Sequence, residues 1–79
     1  MKTILAEAVG WYGAVAIVAA YALVSFGVMT ADSVGYQLLN FTGAIGVIVI
    51  SLVKGAKQPA VLNIFWAIIA LIAIVQLLI

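Results

Sequence analysis

The sequence contains no cysteine and no histidine. Disulfides and thiolate or imidazole metal sites are therefore excluded, and the commonest general base is missing. Charge is nearly as scarce. Lys2, Glu7, Asp32, Lys54 and Lys57 are the whole inventory, so 6% of the 79 residues are charged while 70% are hydrophobic. A water-soluble domain carries about a quarter of its residues as charges, so a soluble fold is excluded. A net charge of +1 with no basic cluster gives nucleic acid no footprint. Nor is there a Ser/His/Asp set, a phosphate-binding glycine loop or a pair of intramembrane carboxylates. No enzymatic activity, catalytic residue, metal or cofactor is expected.

What the chain does have is long apolar runs. A helix crossing the roughly 30 Å hydrocarbon core needs about 20 apolar residues. Three segments meet that length, at about 6–29, 34–53 and 59–79. They make residues 1–79 a single transmembrane domain with almost nothing left over. The opening Met1-Lys2-Thr3 and the apolar run behind it could be a cleaved signal peptide, with Ser25-Phe26-Gly27 as the cleavage site. A signal core, however, is about 7–15 residues, and this run is longer, with Glu7 near its start. It is read as a retained helix. The fold class expected is all-α, an integral membrane three-helix bundle.

In the first helix Ala6, Gly10 and Ala14 step by four residues, with Ala16 and Ala20 on a neighbouring row. Small residues at this spacing let helix backbones approach closely, which drives packing where lipid removes the hydrophobic effect. On a 3.6-residue period Glu7, Gly10, Ala14, Tyr21 and Ser25 share one broad face, and Trp11 and Tyr12 sit where belt aromatics sit. Asp32 or Ser33 is placed to cap the second helix. That helix carries Gln37, Asn40, Ala44, Val47 and Ser51 along one stripe and is thinned by Gly43 and Gly46. Gly55 ends it, and Pro59 suits the first turn of the third helix, whose Asn63, Trp66, Ala67 and Ala70 share a face. The short turn between them makes the second and third helices antiparallel neighbours.

Three spans put the amino terminus, Lys2, Lys54 and Lys57 on one side, and Asp32 and the carboxyl terminus on the other. The positive-inside rule then makes the amino terminus cytoplasmic. Counting about 1.5 Å per residue from the helix ends levels Tyr21 with Asn40 and Ser51 with Asn63. It also sets Asn40 and Asn63 too far apart in depth to bond each other. Asparagine in hydrocarbon needs a partner, so these two layers are either interhelical glue or the lining of a polar cavity. Trp66 is either an interface anchor or part of the same polar set. Glu7 could carry a proton, as intramembrane carboxylates often do, but is assigned to the positive end of its helix near the interface, where a carboxylate is favoured.

The order Gly10-Trp11-x-Gly13, Ala20-Tyr21, Tyr36-Gln37-Leu38-Leu39-Asn40-x-x-Gly43-Ala44 and Leu62-Asn63-x-x-Trp66 resembles a bacterial family of three-helix small membrane proteins. That resemblance covers nearly the whole chain and implies a multi-pass protein of the bacterial inner (plasma) membrane. More distantly, the Gly-rich second helix, short turn, proline and following asparagine resemble the SemiSWEET/PQ-loop transporters. This second resemblance implies a half-transporter that dimerises around a sugar-sized cavity, with Asn63 as its cavity asparagine. The sequence departs from that class at Ser25-Phe26-Gly27, where the class has a Pro-Gln pair, and at Ile48, near its second-helix tryptophan. The function expected is a homodimeric small-solute transporter or channel half, with Asn63, Asn40, Tyr21, Ser51 and Trp66 as polar residues. The alternative is a non-transporting accessory subunit of a larger membrane complex. Apart from the lipid bilayer and a second copy or such a complex, no partner is expected.

Overall fold

The computed structural model describes residues 2–79; Met1 and the Lys2 side chain, with the amino-terminal charges counted for topology, lie outside the described residues. The described chain is all-helical: α1 spans Lys2–Ser25, α2 Val34–Val53 and α3 Lys57–Leu78. All three helices are long and apolar enough to cross a membrane. The molecule measures 37 Å along its longest axis, enough to span a hydrocarbon core of about 30 Å.

The second helix matches its expected bounds, and the first is displaced. It starts and stops earlier than the apolar run suggests, because Gly27 takes a positive φ of 77° and ends it. The Val28 amide donates to the Leu23 carbonyl at 2.9 Å and the Gly27 amide to Val24 at 3.1 Å, which is a Schellman cap. Gly55 repeats the device at the end of α2. Its φ is 70°, the Ala56 amide donates to Ser51 at 2.8 Å and the Gly55 amide to Leu52 at 3.3 Å. Ser33, rather than Asp32, caps α2, its hydroxyl accepting from the Tyr36 amide at 3.2 Å. Gln37 pins the same loop by donating to the Ala31 carbonyl at 3.0 Å. The third helix starts at Lys57, so Pro59 is the third residue of its first turn, where its missing N–H would have had no partner within the helix.

Among the described residues α1 packs on α2 and α2 on α3, while α1 and α3 do not meet. The hub is therefore α2. The interior is made of small side chains: Ala6, Ala16, Ala20, Ala44, Ala60, Ala67 and Ala70, joined by Asn40, Ser51 and Asn63. No large side chain is fully buried among the described residues, and exposed Leu, Ile and Val side chains occur on all three helices. That inverts the soluble pattern. Bulky side chains lose nothing by facing lipid, and close backbone approach is what holds helices together there.

The backbones of α1 and α2 come into direct contact at glycines. A Cβ on Gly46 would stand 2.5 Å from the Val9 carbonyl oxygen and 3.0 Å from Gly13 Cα, and one on Gly13 would collide with the Gly43 carbonyl. The seam on α1 runs through Ala6, Gly10, Gly13, Ala16 and Ala20, all buried. Ala14, expected in this ladder, is exposed, as is Tyr21. The reason is helical drift. Steps of four residues advance about 40° each beyond a full turn, whereas mixed steps of three and four hold one face. Gly13 decides the rotation, because it lets the two backbones touch.

Candidate functional site

The polar side chains separate into two places, one on each seam. On the α2–α3 seam Asn40 is buried and both ends of its amide are engaged. Its Nδ2 donates to the Tyr36 carbonyl one turn back at 3.2 Å, and its Oδ1 accepts from Trp66 Nε1 at 3.3 Å. An indole N–H is a donor only and needs an acceptor inside a bilayer. Asn40 supplies it, which fixes both side chains. Beside this pair a cavity of about 200 Å³ opens, lined by Tyr36, Gln37, Asn40, Trp66, Ile69 and Ala70.

The expected layers are rearranged. Tyr21 is 73% exposed on α1 and does not pair with Asn40, whose partner across the helices is Trp66. The cause is the rotation of α2: Gly43 and Gly46 face α1, which turns Asn40 toward α3. Ser51 and Asn63 are both buried. Asn63 can be covered only by α2, since α3 has no other neighbour among the described residues. Its Nδ2 donates to the Pro59 carbonyl of its own helix at 2.9 Å. Neither Ser51 nor Asn63 lines the cavity beside Asn40. Asn40 and Asn63 bond to different groups.

On the α1–α2 seam Lys54 Nζ lies 2.6 Å from Glu7 Oε1. Because α1 begins at Lys2, Glu7 is more than a turn into the helix, and the lysine rather than the helix end is its partner. The pair is half-exposed, with side-chain accessibilities of 59% for Lys54 and 38% for Glu7. Such a pair contributes about 0–1 kcal/mol. With Gly10, Trp11, Ala14 and Ile50 it lines a cleft of about 210 Å³. Further along the seam the Tyr12 hydroxyl and Thr42 Oγ1 are 2.6 Å apart. Thr42 spends its own proton on the Leu38 carbonyl at 2.8 Å, so Tyr12 is the donor.

Sequence reasoning placed Lys54 on the amino-terminal side of the bundle but missed the Glu7–Lys54 pair, although antiparallel neighbours put a residue near the start of one helix beside the end of the other. It also missed Tyr12–Thr42, for which only the rotation of both helices supplies a signal. The Asn40–Trp66 bond could have been found from donor counting, since Trp66 needs an acceptor and side-chain acceptors are few in α2. No group of three or more metal-ligating side chains occurs among the described residues.

A protein-family model matches residues 6–79, and the chain belongs to that family, whose function is unassigned. No curated protein and no solved structure matches the chain.

Proposed function

We propose that this member of the family is one half of a small-solute transporter or channel. Two copies pair in a bacterial inner membrane so that their α2–α3 cavities face a common space, with Lys54 and Lys57 on the cytoplasmic side. One observation carries the reading: an open cavity beside a buried, oriented asparagine. Tyr36 and Gln37 stand at its edge and Trp66 forms one wall. Ordinary small-molecule sites occupy about 300–1,000 Å³. A single cavity of about 200 Å³ falls short of that range, and two facing each other reach it. In this reading the recognition group is Asn40 with Trp66, while Asn63 and Ser51 hold the α2–α3 seam.

The test joins native mass spectrometry in nanodiscs with swelling of proteoliposomes in glycerol, erythritol and glucose. A dimer that admits at least one of these solutes is expected. Ile69→Trp, at an exposed position on the cavity rim, should slow that flux without changing the dimer mass. A second reading, the non-transporting subunit of a larger membrane complex, is favoured by the amides of Asn40 and Asn63 being bonded within the chain. A monomer that leaves every vesicle silent would sink the transporter reading and leave this one.

A further inference from the structure

The α1–α2 cleft holds an ion pair that the proposed cavity does not use, and it leads into a second feature. Glu7 and Lys54 line it together with Trp11 and Ala14. The same Trp11 and Ala14 begin a shallow, open apolar groove along the outer face of α1 that continues past Val15, Val18, Ala19 and Ala22. From Trp11 to Ala22 the groove climbs about 16 Å at about 1.5 Å per residue. That is close to one leaflet, half of a hydrocarbon core of about 30 Å. A charged cleft at the helix ends thus runs without a break into an apolar track one leaflet long.

We propose that this continuous feature binds one phospholipid whose zwitterionic headgroup carries a primary ammonium, phosphatidylethanolamine being the type, in the leaflet on the Lys54 side. The site presents both signs of charge within one side chain's reach, Lys54 Nζ and Glu7 Oε1 lying 2.6 Å apart and both partly open to the outside. A headgroup with phosphate and ammonium on one short tether can take both partners. Phosphate accepts from Lys54 and the ammonium donates to Glu7, so each charge keeps an opposite neighbour. An anionic headgroup brings a second negative group to Glu7 with nothing to neutralise it. A quaternary amine has no N–H to donate to the carboxylate. Trp11 supplies the amphipathic ring that belongs at headgroup depth, and the small side chains of Ala14, Ala19 and Ala22 leave room for an acyl chain against α1.

The test is lipid competition read by native mass spectrometry. Protein is released from nanodiscs holding equal parts of phosphatidylethanolamine, phosphatidylglycerol and phosphatidylcholine with identical chains, and the retained lipid is counted. Phosphatidylethanolamine should be enriched about threefold or more over either competitor, as one extra charge-assisted contact of modest strength gives. Glu7→Gln should abolish the preference over phosphatidylcholine. Ala14→Leu, at an exposed position between cleft and groove, should lower retention of all three lipids alike. Soluble phosphoethanolamine, which has no acyl chains, should not be retained. Lipids carried off in their bulk proportions, a preference for phosphatidylglycerol, an unchanged preference in Glu7→Gln, or retention of phosphoethanolamine alone would each overturn the proposal. If Glu7→Gln fails to fold, the wild-type competition and Ala14→Leu decide it.

Discussion

Gly46→Ala adds a single methyl group where α1 and α2 come closest. The new Cβ would stand 2.5 Å from the Val9 carbonyl oxygen, 3.0 Å from Gly13 Cα and 3.1 Å from Gly13 N. All three are backbone atoms of one helix, so no side-chain rotation can make room. The helices must part by up to about 1 Å, and a gap of that order forfeits a quarter to a half of each dispersion contact along the seam. Overpacking of this kind costs about 1–3 kcal/mol. Alanine's better helix propensity offsets about 0.8–1.0 kcal/mol at most, and less in a bilayer, where the separated segment is already helical. A net loss of about 1–2 kcal/mol is expected. Gly35→Ala is the contrast. Its Cβ would meet the Met29 Cε at 2.9 Å, the far end of an unbranched side chain that can swing aside at little cost. Alanine's better helix propensity then decides, so Gly35→Ala should be close to neutral or slightly stabilising. Equilibrium unfolding in mixed micelles, followed by the fluorescence of Trp11 and Trp66, measures both. A Gly46→Ala protein as stable as the wild type, or a Gly35→Ala protein equally damaged, would refute the packing argument.

Trp66→Phe removes the donor to Asn40 while keeping an aromatic ring, and should cost about 0.6–1.7 kcal/mol in the same unfolding assay, the span of interhelical polar contacts in membranes. Asn63→Ala should cost less, because the Asn63 amide is bonded inside its own helix; equal losses for the two variants would contradict the assignment of Asn40–Trp66 as the interhelical bond. For topology, cysteines placed singly at Ala31 and Ala56 should differ in intact cells, with an impermeant thiol reagent labelling Ala31→Cys and sparing Ala56→Cys; the reverse pattern would invert the orientation.

The sequence made the helices legible because the signals there are local. Apolar run length, Ser33 before a helix and Gly55 after one act within a few residues. The end of α1 was legible in principle too, since Gly27 is a Schellman glycine like Gly55, but an apolar run passing through it hid the stop. Side-chain facing was harder. In a soluble helix the polar face marks the outside; here Tyr21 and Trp66 are both exposed, and only one of them serves a seam. The rotation of each helix is set by where backbones can touch, and that depends on pairs such as Gly13 with Gly43 and Gly46 on different segments. A ladder drawn on α1 alone therefore selected Ala14 over Gly13. The polar cavity shares the difficulty, because Asn40 could be singled out from its cost in lipid while its partner depended on which neighbour α2 turned it toward.

The absence of contact between α1 and α3 bears on how the chain is made. Every tertiary contact among the described helices joins neighbours in sequence, so no interaction has to wait for the two ends of the chain to find each other. Proteins whose contacts are local in sequence assemble fastest. The α1–α2 hairpin, with its glycine crossing and its Glu7–Lys54 pair, draws on no residue of α3. The third helix then docks on a finished surface. Biogenesis would proceed by successive hairpins, and a chain halted after Gly55 should already hold the first seam.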